Sequence, residues 1–154
     1  MDVNALLLLS SKQPPHPVEE LAWHAQYCER TGQPSAMATT RVLSGLVPGR
    51  SIIAFYGDAV LNNHLLGYAG FVGFDRLGTT RGDQLLRESE LYTPGNHPPG
   101  LKGVLRMEAL RIAPPGAEVD ALQGRMRANG VPLTRATLPV GPARILIYFT
   151  RDAA

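Results

Sequence analysis

Cysteine, lysine and aromatic residues are scarce in this chain. Cys28 is the only cysteine among 154 residues, so no internal disulfide can form and no cysteine cluster can build a zinc site. A chain without a disulfide framework fits a reducing compartment, and the expected location is cytoplasmic. Long apolar runs are also missing. The N-terminal run Ala5-Leu6-Leu7-Leu8-Leu9 is far shorter than the about 20 residues needed to cross a bilayer. Asp2 precedes it where a signal peptide carries positive charge, and no small-residue cleavage site follows. We read the run as a buried strand and expect no membrane partner. Motifs for phosphate loops, metal sites and covalent catalysis are absent as well. His16 and His97 lie in proline-rich loops and His64 opens a strand, without a serine or cysteine nucleophile context. His24 and Cys28 are one helical turn apart, but Cys28 reads as a small core residue and further ligands are lacking. We expect neither metal nor cofactor.

What is present suits a folded domain. Hydrophobic residues make up 44% and charged residues 18% of the chain, far from the balance of a disordered segment, and the length suffices for one core. A single domain over 1–154 is expected. The formal charge is +2 with a pI near 8.9, a mild basic lean that gains meaning only from where the charges sit. Of the 15 basic residues, two are lysines, Lys12 and Lys102, and the rest are arginines. Arginine's planar fork suits phosphate; the base composition of a genome produces the same skew.

Local patterns predict a strand over 4–10, continuous enough to be central and covered on both faces. Gln13-Pro14-Pro15-His16-Pro17 forbids regular structure. Pro17 to Arg30 reads as a helix, with proline first, Glu19 and Glu20 against the dipole, and Gly32 as its stop. Its apolar stripe is Val18, Leu21, Ala22, Ala25 and Cys28. A short strand is expected over 37–43, then a strand pair over 51–56 and 65–74 joined by a turn. Gly67, Gly70 and Gly73 recur at every third position of the second of these and mark bends or bulges. Residues 77–100 read as a long polar connection with at most a helical turn over 83–87, and such connections are usually functional or mobile. A strand over 101–112, a short helix over 118–128 and a strand over 143–150 complete the chain. The expected fold is α+β, a small, mostly antiparallel, partly closed β-barrel of about six strands with two helices.

The first strand ending in Ser10-Ser11-Lys12, the early helix, and Leu46-Val47-Pro48-Gly49-Arg50-Ser51-Ile52-Ile53-Ala54-Phe55-Tyr56 leading to Leu66-Gly67-Tyr68-Ala69-Gly70 together resemble the PUA-like superfamily, particularly its EVE and ASCH branches. In those proteins a Pro-Gly-Asp, apolar, Tyr strand precedes a glycine-containing strand; here Arg50 stands where an acid is usual. The strand from Gly103 to Ile112, followed by Ala113-Pro114-Pro115, is similar to the family's penultimate strand. The resemblance implies a barrel whose pocket accepts a flipped or modified base or another small heterocycle. EVE-like and ASCH-like proteins are associated with RNA and modified DNA, and some ASCH members are small amidohydrolases.

Candidate binding residues fall at strand ends and in the long connection, where function concentrates. Ser10, Ser11 and Lys12 offer hydroxyls and a cation, unless they are only a solvated strand end. Tyr56 with Asp58, and Tyr92 with Asn96, place a ring beside a hydrogen-bonding group, as base recognition requires; turn formation also explains Asp and Asn. Trp23 and Tyr27 lie one turn apart, opposite the apolar stripe. They read either as a stacking platform, worth about 1–3 kcal/mol per base, or as core covered by the long connection. Arg76, Arg81 and Arg87 form one group that could track phosphates, interleaved with Asp75, Asp83, Glu88 and Glu90; Arg41, Arg50, Arg106 and Arg111 form another.

Three functions compete. The first is a nucleic-acid-binding module, for DNA or RNA, that takes one altered or unpaired base into the barrel pocket and acts by binding. The second is an ASCH-type hydrolase of an acylated base or nucleoside, using Lys12 with Asp58 or Glu108. The third is a protein-interaction domain with a broad apolar patch. The oligomeric state stays open.

Overall fold

A computed structural model of the chain describes residues 2–92 and 99–151. Its elements are β1 (Asn4–Leu9), α1 (Pro17–Thr31), β2 (Ser35–Thr39), β3 (Ile52–Gly57), β4 (Leu65–Arg76), α2 (Thr80–Glu88), β5 (Gly103–Ile112), β6 (Gly124–Met126) and β7 (Leu146–Arg151), with short 3-10 turns between some of them. The architecture is α+β. Seven strands pair in one mixed sheet in the order β2-β5-β4-β3-β1-β7-β6. β1 runs parallel to β3, and the remaining pairings are antiparallel. Where a partly closed barrel of about six strands was expected, the hydrogen-bond ladder among the described residues is open. β2 and β6 are its edges, and all three residues of β6 pair with β7. No helix among the described residues is long and apolar enough to cross a membrane.

The centre of the sheet around β1 is covered on both faces, which explains why β1 needs an unbroken apolar run. On one face Ala5 and Leu7 join Ile53, Phe55, Phe71, Met37, Leu105 and Met107 beneath Leu21 of α1. On the other, Leu6 meets Ala54, Tyr56, Ile147 and Phe149, closed over by Val119, Leu122, Met126 and Leu133. Strand alternation sorts each side chain to its layer. In the last strand Ile147 and Phe149 lie in one layer and Leu146 and Tyr148 pack against the other.

The glycines of β4 mark irregularities, as expected. Its register against β5 shifts between Tyr68 and Gly70 and again between Phe71 and Gly73. A Cβ on Gly67 would lie 2.7 Å from the Arg111 carbonyl oxygen. The Arg106 guanidinium fills the space above Gly73 and pairs with Asp75 at 3.2 Å.

α1 begins at Pro17, where His16 Nδ1 accepts the Val18 N–H at 3.3 Å, and ends at Gly32 in the left-handed conformation, φ 66°. Its bounds match the sequence reading; its buried face does not. Val18 is 52% exposed, whereas Pro17, Glu20, Leu21 and His24 are buried. The helix is rotated so that two polar side chains face inward, because Tyr92 supplies hydrogen bonds that no local pattern contains.

Further boundaries differ, and the last strand, expected over 143–150, begins at Leu146 after a 3-10 turn, Gly141–Arg144. The expected short strand over 37–43 occupies Ser35–Thr39. The polar connection contains a nine-residue helix, α2, capped by Thr79, whose hydroxyl accepts the Gly82 N–H at 3.1 Å. The expected helix over 118–128 is a single 3-10 turn, Val119–Leu122, followed by β6. Gln123 breaks it at φ 51°, and Gly124 packs against the Phe149 ring, so the segment gains more by pairing with β7 than by coiling. The helical spacing of Val119, Leu122 and Met126 fits both outcomes.

Candidate functional site

At the carboxyl end of β1 the sheet opens into a cavity of about 480 Å³, within the about 300–1,000 Å³ range of small-ligand sites. Leu7, Leu8, Leu9 and Ser10 form one wall, the proline-rich segment and Pro17 a second, and Met37 through Arg41 a third. Pro142, Arg144 and Ile145 close it from the turn before β7. The walls are mainly apolar, and three charged side chains line them: Glu20, Arg41 and Arg144. Arg144 is exposed and Arg41 half-buried, so both stand toward the rim, whereas Glu20 is 6% exposed.

Glu20 ends a buried hydrogen-bonded chain. The Tyr92 hydroxyl donates to Glu20 Oε2. Having given its one proton there, it accepts from His24 Nε2 at 2.9 Å, and the Ala38 backbone N–H is directed at the same oxygen. His24 therefore carries its proton on Nε2, and its Nδ1 accepts the Ser35 hydroxyl at 2.5 Å. Both His24 and Ser35 are fully buried. Every proton of the chain is directed toward the carboxylate.

Burial sets the ionisation of these groups. It raises Glu20 to about 7, against the lowering pull of the Tyr92 hydrogen bond. It lowers His24 to about 3, which keeps the imidazole neutral. Tyr92 is pushed well above the usual phenol range by burial and by the neighbouring Glu20 charge.

The structure distributes the sequence-predicted residues unevenly. Ser10 and Arg41 line the cavity, and Tyr92 braces Glu20 within it. Ser11 and Asp58 do not line it; they bind each other. Asp58 Oδ2 accepts the Ser11 backbone N–H at 2.8 Å and its hydroxyl at 2.7 Å. Burial pushes the Asp58 carboxyl up, but these bonds and the Leu61 and Val60 amides outweigh it and hold the group low. Tyr56 is buried under the sheet, and its hydroxyl donates to the Arg144 carbonyl, fixing the turn that carries Arg144 to the rim. Burial raises the Tyr56 phenol to about 12, with the Arg144 charge pulling the other way. Lys12 is exposed, as is Glu108 on β5, and neither lines the cavity. Arg76, at the end of β4, and Arg81, in α2, are exposed and do not line it. Asn96 lies outside the described residues.

Trp23 and Tyr27 stack on each other, with centroids 5.4 Å apart and planes 18° apart. Trp23 also meets the His24 ring edge-on at 5.1 Å, and the Arg30 guanidinium lies 5.8 Å from the Tyr27 centroid. Neither ring lines the cavity. Gln13, Glu20, Thr39, Thr40 and Arg144 are the polar lining residues that the sequence patterns did not single out. Glu20 and His24 carried a usable signal: two ionisable side chains one turn apart, flanking Leu21.

A second groove, of about 400 Å³, lies between Val18, Val60, Leu61, Ile112 and Pro114. His64 and Asn62 are its polar members, and no carboxylate, lysine or arginine lines it. Of these two, the first cavity is the better candidate because it joins an apolar enclosure to a buried acid and flanking cations. Among the described residues no cluster of three His, Cys, Asp or Glu groups is placed to hold a metal. No family model, no curated protein and no solved structure matches the chain.

Proposed function

We propose that the chain is a base-reading module of PUA-like type, partly closed around the first cavity, which takes one altered or unpaired base of a DNA or RNA strand. The observation that carries this reading is the charge layout of the cavity: apolar walls suited to a planar ring, a buried acid inside, and Arg41 and Arg144 at the rim. Ring faces are held by apolar contact, base edges by hydrogen bonds, and the backbone by arginine. The early helix after β1 and the bulged β4 also suit the resemblance drawn from the sequence. The hydrolase reading is weaker because Asp58 is occupied by Ser11 and its proposed partner Lys12 stands outside the cavity. An interaction-domain reading would use the second groove, which offers no permanent charge to orient a partner.

The test is fluorescence anisotropy with labelled single-stranded DNA and RNA, carrying plain and modified bases, over a range of salt. Two phosphate contacts at about 0.7 each in the log–log slope give about sevenfold weaker binding for a fourfold rise in salt. Arg41→Ala should weaken binding to all sequences alike and remove about half of that slope. Failure of every probe to bind at low salt would overturn the proposal.

A further inference from the structure

A carboxylate has about four lone-pair positions. In Glu20 one of them, on Oε2, is filled by the Tyr92 hydroxyl, and among the described residues Tyr92 is its side-chain hydrogen-bond partner. Yet Glu20 is almost wholly buried and forms part of the cavity wall. An acid in this setting is costly unless donors are supplied. One protein donor, the Tyr92 hydroxyl, reaches Oε2, and the remaining acceptor positions belong to a side chain that lines the cavity.

We propose that Glu20 reads the bound base, its carboxylate accepting hydrogen bonds from a guanine-type edge in which a ring N–H and an exocyclic amino group lie side by side. This inference rests on the base-binding reading above and names the base it selects. Adjacent donors on a rigid ring match the two acceptors of a carboxylate. Adenine would set its unprotonated ring nitrogen against the same oxygens, placing acceptor against acceptor. A cationic ligand is disfavoured because Arg41 and Arg144 line the same cavity, whereas a neutral base attached to phosphate suits both ends. Tyr92 and His24 are positioning residues: through the bonds from Ser35 to His24 to Tyr92 they fix the rotamer of the carboxylate.

Recognition of donors requires the ionised acid, so binding is linked to proton release. The groups facing Glu20 are His24 from α1, Tyr92 from the segment after α2, Arg41 beyond β2 and Arg144 before β7. His24 stays neutral and Tyr92 protonated near neutrality, and arginines are permanent cations, so Glu20 is the member of this set that changes charge. With Glu20 titrating at about 7, its ionised fraction rises about tenfold from pH 6 to pH 8, and affinity follows the competent fraction.

The experiment uses labelled single-stranded DNA octamers of adenine carrying guanine, inosine or adenine at the centre, measured at about pH 6 and pH 8. The guanine probe should bind at least about tenfold more tightly than the all-adenine probe at pH 8. Inosine, which keeps the ring N–H and lacks the amino group, should fall between them. The guanine preference should shrink about tenfold at pH 6. Glu20→Gln should abolish both the preference and its pH dependence, and Tyr92→Phe should weaken the preference while retaining part of the pH dependence. If Glu20→Gln does not fold, the wild-type pH series decides. Equal binding of all three probes, unaffected by pH, would overturn the role of Glu20 while leaving the base-binding reading standing. No binding by any probe would overturn that reading itself.

Discussion

Tyr92→Phe should lower the stability of the folded chain by about 2–5 kcal/mol, more than a hydroxyl deletion normally costs. The ring would stay, so packing in the layer beneath α1 is preserved and no cavity term arises. What is lost is an oxygen with three obligations. It donates to Glu20, accepts from His24 Nε2, and faces the Ala38 N–H. Each buried polar group left without a partner costs about 1–3 kcal/mol. Tyr56→Phe is the internal control, because that hydroxyl serves only the Arg144 carbonyl and its removal should cost about 1 kcal/mol. Urea unfolding with unchanged m-values would measure both. Equal losses in the two variants would mean that the buried network contributes nothing beyond an ordinary tyrosine hydrogen bond.

The second large effect is on the pH dependence of stability. Glu20 titrates at about 7 in the folded chain against 4.5 when unfolded, so the native state binds the extra proton in that window. Its contribution is fully present below about 4.5 and is lost as pH rises through 7, a swing of about 3 kcal/mol. His24 is displaced the other way, from 6.5 to about 3, so the unfolded state takes the proton first. That contribution is present above 6.5 and is lost as pH falls toward 3, a swing of about 5 kcal/mol. Between pH 4.5 and 6.5 the two slopes oppose each other, so the pair contributes little net slope. Glu20→Gln removes one of them. Relative to wild type, the variant should gain about 3 kcal/mol as pH rises from 4.5 to 7, leaving the His24 slope bare. Denaturant midpoints at half-unit pH steps would show it. A difference profile that is flat, or that slopes the other way, would mean that Glu20 is not held protonated by burial.

The sequence patterns located most elements because those elements obey local rules. β1 is central and apolar throughout, α1 runs from a proline to a left-handed glycine, and β4 bulges where its glycines recur. Apart from α2, whose Thr79 cap is a local signal, the failures trace to partners distant along the chain. Glu20 and His24 look like surface residues until Tyr92, 72 and 68 positions away, is placed beside them. β6 looks helical until β7 offers it hydrogen bonds. At the cavity, Ser10 was singled out at a strand end, Tyr92 in the long connection and Arg41 in a group of arginines. Arg144 was not, since its position depends on Tyr56 gripping its carbonyl from another strand. Trp23 and Tyr27, read as lying opposite the apolar stripe, are half-buried and stack on each other.

The cavity at the end of β1 is the proposed ligand site. The most direct measurement is a backbone-amide chemical-shift map of the labelled protein titrated with the single-guanine octamer. The account predicts the largest shifts at Leu9 and Ser10, at Glu20, at Thr39 to Arg41, and at Arg144 and Ile145, the residues that line the cavity. Shifts confined to Trp23 and Tyr27, to Arg76 and Arg81, or to the groove around Val60 and Ile112, with the cavity amides unmoved, would contradict it.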